Sequence, residues 1–274
     1  MIKIIYLVIA SNNSEHIRDE NSQRDTWAKN RDNVIWLRGG SKEIFDNSKR
    51  TLFVNVEETY ENILAKSIEG IKWCLRNRQF DFLIRSNVST YFVENRIESI
   101  LNLISPEERF FGGFVEFIKE LNSPINKRLF VNGAGIFMSR NTAELLATID
   151  SKTWQGKPDD FAISQHLLSK NLYPTWIPRG NVGATAIIRR RSYYRLKSSE
   201  NILMAEKRMF NLDEIISSNS KLRRLRCIIH FYMDEIINAK RNFRTAPRYL
   251  ASVYSIVNSK IRFILARKKW KRSS

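Results

Sequence analysis

The chain has 274 residues, 43% of them hydrophobic, with sixteen Phe and six Trp; this excludes wholesale disorder and suffices for one sizeable domain and an appendage. Two cysteines, each in an apolar segment, exclude a disulfide framework and fit a reducing compartment, and His16, His166 and His230 lack the spacing of zinc ligands. The net charge of +18 is uneven: fifteen Lys and Arg against Asp234 and Glu235 give residues 221–274 a charge of +13, leaving +5 for residues 1–220. A near-ordinary body with a strongly basic tail implies a polyanionic partner, either nucleic acid or anionic lipid.

The N-terminal stretch MIKIIYLVIASNNSEH carries an apolar run that stops at Ser11. It lacks the long apolar core and small-residue cleavage site of a signal peptide, and reads as a buried strand over 3–10. No stretch reaches the roughly eighteen apolar residues needed to span a bilayer, so a soluble or peripheral protein is expected. SQRDTWAKN follows at 22–30. Arg24 there is compatible with a phosphate contact and equally with the surface, beside a core Trp27.

Further strands are expected at 33–38, 51–56, 80–85, 109–115 and 129–138. Between them, Tyr60–Arg76 shows the clearest helical stripe, with Ile63, Ile68, Ile71, Cys74 and Leu75 inward and Glu61, Lys66, Glu69 and Lys72 toward water. Other helices are expected over 94–104, over 140–149 with Ser139 as N-cap, and over 158–170. This alternation predicts an α/β fold with a mostly parallel sheet covered on both faces.

Three segments can carry chemistry. FDFLIRSNVSTYF (80–92) is an apolar strand that stops at Arg85-Ser86-Asn87, and strand carboxyl ends are where open α/β sheets hold ligands. LFVNGAGIFMSRNTAELL (129–146) places Asn132, Gly133 and Gly135 where the backbone either bends or closely approaches a ligand. KPDDFAISQHLLSK (157–170) puts Asp159 and Asp160 in the first turn of a helix, where they either satisfy the helix dipole or supply a general base.

In order and spacing, QRDTWAKN, EETYENILAKSIEGIKWCLR, FDFLIRSNVSTYF, VNGAGIFMSRNTAELL and PDDFAISQHL resemble the β-1,3-galactosyltransferase and Fringe group, over about residues 3–178. The later YYRLKS is similar to a basic motif of bacterial and viral relatives. The resemblance implies a GT-A fold and inverting transfer from a nucleotide sugar. It also implies that Tyr60, Asn62 and Lys66 flank the donor, that Asn132, Gly133 and Gly135 belong to an acceptor strand, and that Asp160 is the base with Asp159 in support. The acidic motif that holds Mn²⁺ or Mg²⁺ in that group is replaced here by Asn87-Val88-Ser89. A hard divalent cation needs anionic oxygen ligands, so the expectation is that no metal cofactor is bound, the alternative being Mn²⁺ or Mg²⁺ held weakly through the donor phosphates alone. The positive charge for the departing phosphates then falls to Arg195 and Lys197, with Arg85, because the planar guanidinium grips phosphate oxygens in pairs.

A UDP-hexose or UDP-N-acetylhexosamine is the donor implied by the resemblance, with a CMP-sugar as the alternative, since a monophosphate leaving group needs less cationic help. In residues 201–274 helices are expected at 202–210, 222–240 and 249–271. Their basic residues are interleaved with apolar faces rather than with exposed aromatics for base stacking. This favours an anionic membrane surface over nucleic acid as the partner of 221–274, each cation contributing about 1 kcal/mol there. The expected whole is a GT-A-like domain over 1–200 and a basic helical tail over 201–274. It would act on a glycan or lipid-linked glycan at the cytoplasmic face of a membrane. The competing classes are a basic nucleic-acid-binding protein and a non-catalytic membrane scaffold.

Overall fold

The computed structural model describes residues 2–119, 127–181 and 193–195, together with Met209 and Asp213. In chain order the elements are β1 (Ile4–Ile9), α1 (Ser14–Asp25), β2 (Val34–Gly40), β3 (Ile44–Asp46), β4 (Thr51–Asn55), α2 (Ile63–Asn77), β5 (Phe82–Asn87), β6 (Thr90–Phe92) and α3 (Glu94–Leu101). They continue with β7 (Phe111–Lys119), β8 (Lys127–Ser139), α4 (Arg140–Leu146), a 3-10 turn (Ser151–Trp154), α5 (Asp159–Ser169), β9 (Thr175–Trp176), β10 (Arg179–Asn181) and β11 (Tyr193–Arg195).

Eight strands form one sheet in the order β3-β4-β2-β1-β5-β8-β7-β9, and β10-β11-β6 form a second, small sheet. Strands β4, β2, β1 and β5 are parallel neighbours, whereas β8 runs antiparallel to both β5 and β7. The expected α/β architecture with a mostly parallel sheet is therefore present, with an antiparallel insertion at β8. Every residue of β1 is buried, as a strand covered on both faces requires. Its side chains alternate between two cores. Ile5, Leu7 and Ile9 meet Leu64, Ile68 and Ile71 of α2 and Ile163 of α5, while Ile4, Tyr6 and Val8 meet Trp27, Phe92, Ile97 and Tyr193.

The strand order reverses at β1, which has β2 on one side and β5 on the other, and this opens a crevice at the carboxyl ends of β1 and β5. The register of β8 places its first half beside that crevice. It pairs with β5 from Phe82↔Ser139 to Arg85↔Ile136, so residues before Ile136 run on past the end of that pairing.

Helix α1 was not foreseen. Its buried side chains are Asp19, Glu20, Ser22 and Gln23, so it has no apolar stripe to read, and Asn13 caps it by accepting from the Glu15 amide at 2.8 Å. Lys66 departs from expectation in the other direction. It is 2% exposed rather than facing water, because its ammonium donates to the Ala10 carbonyl (2.9 Å) and pairs with Glu58. Ser139 occupies the N-cap position of α4, yet its hydroxyl accepts the Phe110 amide (3.0 Å) instead of capping the helix.

Two described residues beyond position 200 pack on this body. Met209 is fully buried in the core that holds Tyr6, Trp27 and Phe92, and Asp213 accepts from the Tyr91 hydroxyl at 2.8 Å. Met209→Ala is expected to cost about 2–5 kcal/mol in urea unfolding, as buried Met truncations do; an unchanged midpoint would show that the side chain contributes nothing. The rest of the expected tail helices, Lys197 and Arg189–Arg191 lie outside the described residues. Among the described residues, no helix is long and apolar enough to cross a membrane.

Candidate functional site

Strand β5 brings Arg85 to the crevice, 2% exposed, in register with Leu7 of β1. Its guanidinium pairs with Asp159, donates to the Gly133 carbonyl (2.6 Å) and donates to the Asn87 side-chain oxygen (2.8 Å). The expected phosphate contact thus meets a side chain already engaged by three acceptors. Among the described residues, Arg85 neutralises a buried carboxylate.

That carboxylate is placed by α5. Pro158 is the N-cap, and its carbonyl accepts the Ala162 amide (3.0 Å), so Asp159 and Asp160 fill the first turn. The helix is pinned to β8 by Ser164, which accepts the Val131 amide (2.9 Å), and by Gln165, which donates to the Leu129 carbonyl (2.7 Å). Asp159 is 9% exposed and also accepts from Ser67 of α2 (3.1 Å). Asp160 is less buried, forms no ion pair with a described residue, and accepts the Gly133 amide (2.9 Å) and the Phe161 amide (2.8 Å). Burial raises its pKa above the ordinary carboxylate value, and the neighbouring charge of Asp159 raises it further, against the opposing pull of Arg85.

Gly133 is therefore the meeting point, its carbonyl on Arg85 and its amide on Asp160. A β-carbon there would stand 2.7 Å from the Arg85 guanidinium and 3.2 Å from the Asp160 carboxylate, so only glycine lets the strand pass. Gly135 has a different role, since its β-carbon would meet the Tyr193 ring at 2.8 Å. Asn132 turns away from Asp160 and accepts from Arg179 (2.6 Å). Arg179 was missed from the sequence. It is 3% exposed and opens β10, and the only sequence signal was a lone cation after the apolar stretch Trp176-Ile177-Pro178.

The turn after β5 is held by Gln23, which donates to the carbonyls of Asn87 (3.4 Å) and Thr90 (3.0 Å), and by Thr90, which donates to the Ala134 carbonyl (2.8 Å). Residues 87–89 do not fit a divalent cation. The amide oxygen of Asn87 is taken by Arg85, Val88 is apolar and buried, and Ser89, 4% exposed, offers only a neutral hydroxyl. Arg195 is half-buried on β11, with Thr90 as its register partner, so the small sheet carries this cation to the end of β5. It forms no ion pair with a described residue.

Lys66 lies on the same face, near Asp159 and Arg85, and burial lowers its pKa against the support of Glu58. Asn62 precedes α2 and donates to the Glu57 carbonyl (3.4 Å), and Tyr60 is 69% exposed. Arg24 stands apart from the group. It pairs with Glu20 (2.6 Å), lies 3.6 Å over the Trp36 ring and donates to Thr51, the first residue of β4 (3.2 Å). Thr51 is at the end of β4 opposite the crevice. The structure thus brings together Lys66, Arg85, Asn87, Gly133, Asp159 and Asp160, with Asn132 and Gly135 on the same strand as Gly133; Arg195 is linked to this end of the sheet through the register of β11 with β6, and Arg24 lies elsewhere.

No protein-family model matches the sequence, and no curated protein matches it. Among solved structures, the chain is similar to the galactosyltransferase LgtC in complex with donor and acceptor sugar analogues, at 9% identity and a TM-score of 0.44, over 81% of this chain and 99% of that one. It is similar to the apo form of the glycosyltransferase GlyE from Streptococcus pneumoniae TIGR4, at 6% identity and a TM-score of 0.45, over 86% of this chain and 64% of that one. An active-site mutant of LgtC gives 8% identity and a TM-score of 0.43 over 81% of this chain.

Proposed function

We propose that the protein is an inverting, metal-independent glycosyltransferase that moves a hexose or N-acetylhexosamine from a UDP-sugar to a hydroxyl of a glycan. The observation that carries this reading is the division of labour between two adjacent carboxylates at the crevice. Asp159 is tied to Arg85, while Asp160 has a raised pKa and is held only by backbone amides. Carboxylates separated in this way by their surroundings are how one site provides a base and a fixed charge.

In the proposed reaction Asp160 takes the proton from the acceptor hydroxyl as that oxygen bonds to the sugar's anomeric carbon. The bond from that carbon to the diphosphate breaks on the opposite side, and UDP leaves. Arg195 meets the charge that develops on the diphosphate, because the other site cations, Lys66 and Arg85, are each paired with a carboxylate. The basic sequence of residues 221–274 supports docking on the cytoplasmic face of an anionic membrane, where the acceptor is a lipid-linked glycan.

The test is donor hydrolysis and transfer with UDP-Gal, UDP-Glc, UDP-GlcNAc, UDP-GalNAc and CMP-sugars, each with Mn²⁺ and with EDTA. Turnover of one UDP-sugar is expected, unchanged by EDTA. Loss of that turnover in EDTA would sink the metal-independent part. Failure with every donor, even when mixed glycan acceptors are supplied, would sink the transferase.

A further inference from the structure

On the side of β8 away from Asp160 is a cluster that the reaction above leaves unused. Arg179 is 3% exposed, and its guanidinium lies 4.1 Å over the Phe114 ring. It donates to the Asn132 side-chain oxygen (2.6 Å) and to Oε1 of Glu116 (3.3 Å), and the Asn132 amide nitrogen donates to that same Oε1 (3.3 Å). Two donors therefore fix one oxygen of Glu116. The other, Oε2, has no hydrogen-bond partner among the described residues, and the side chain is 32% exposed.

Burying a guanidinium is costly unless its partners are well placed. Here the buried cation orients a carboxylate on a partly exposed side chain whose second oxygen is left without a partner among the described residues. Such an oxygen is a rigid acceptor for O–H groups, the arrangement a site uses to select a polyhydroxylated ligand. Paired with Arg179, the carboxylate adds no net charge, so the ligand it suits is neutral. In the sheet, Glu116 on β7 and Asn132 on β8 lie beyond β5 from β1 and β2, and Asn132 is one residue along β8 from the Gly133 amide that holds Asp160, on the other side of that strand.

We propose that Glu116, oriented by Arg179 and Asn132, reads a hydroxyl of the acceptor sugar and sets acceptor specificity. This rests on the transferase reading, and the experiment separates the two. The full chain is titrated with the methyl glycosides of galactose, glucose, N-acetylgalactosamine and N-acetylglucosamine, followed by saturation-transfer NMR with UDP present; calorimetry measures UDP binding alongside. The wild type is expected to bind one of these glycosides. Glu116→Gln and Glu116→Asp should weaken that binding about tenfold or more, the scale of one charge-assisted hydrogen bond, with UDP affinity and melting temperature unchanged. Equal glycoside binding by Glu116→Gln, or no glycoside bound by a wild type that binds UDP, overturns the proposal. A wild type that binds no nucleotide, yet loses its glycoside in Glu116→Gln, sinks the transferase reading and upholds this sugar site.

Discussion

Asp160→Asn is expected to lower sugar transfer by about a thousandfold, within the range general bases contribute, while leaving UDP affinity nearly unchanged. The amide keeps the volume of the carboxylate, and its one oxygen can still accept the Gly133 amide hydrogen, so the turn at Gly133 survives while the bond from the Phe161 amide is given up. What is lost is the ability to take a proton. In the wild type, kcat/KM should fall on the acid side at a higher pH than an ordinary carboxylate would give, because Asp160 must be ionised to act and its pKa is raised by burial and by Asp159. The same substitution should stabilise the protein at neutral pH. A carboxyl whose pKa is higher folded than unfolded binds its proton more tightly in the folded state, so its ionisation costs stability as pH rises from 3.8 through the raised value. The melting temperature of Asp160→Asn minus that of wild type should therefore grow across that window and then level off. A difference that is flat with pH, or an active variant, would remove Asp160 from the role of base.

Arg85→Ala carries the largest expected loss of stability, about 3–5 kcal/mol, because it leaves Asp159 buried without a counter-charge. For a chain of this size each kcal/mol is about 2–4 °C in melting temperature, so the variant should melt well below wild type. It also removes donors from the Gly133 carbonyl and the Asn87 side chain. Removing both charges, as in Arg85→Met with Asp159→Leu, should restore part of the lost stability, since a buried ion pair replaced by apolar groups is often neutral. Activity should stay absent, because the environment of Asp160 is changed. Strictly additive effects in the double-mutant cycle, read from urea midpoints, would show that the two side chains are not coupled.

These two residues also mark what the sequence could and could not reveal. The strands around the crevice are continuous apolar runs, and the stripe along α2 has a helical period, so β1, β2, β4, β5, β7, β8 and α2 were legible. Helix α1 was not, because its inward face is polar and its stability comes from contacts with distant strands. Gln23, for instance, serves Trp36, Asn87 and Thr90. The Asp159-Asp160 pair was visible as a candidate base, but the partner of Asp159 lies 74 residues away and no local pattern announces it. Arg85 was read as a cation for phosphates and Lys66 as facing water on the helix beside the donor, since charge in sequence says nothing of which carboxylate folding will bring beside it. The cluster of Glu116, Asn132 and Arg179 joins three separate segments and was invisible for the same reason.

The packing of Met209 and Tyr193 against Tyr6 and Trp27 bears on how the chain is made. Synthesis proceeds from the N-terminus, so β1 and its neighbours leave the ribosome long before the side chains that cover one of their faces. Until about two hundred residues have emerged, an apolar surface around Tyr6, Val8 and Trp27 lacks its lid, and the pieces at 90–92 and 193–195 cannot join as β6 and β11. Contacts of such long sequence separation are slow to form and leave the nascent chain open to aggregation. The half of the fold on the α2 side depends less on late residues and can be complete first, waiting for the C-terminal segments to close the other.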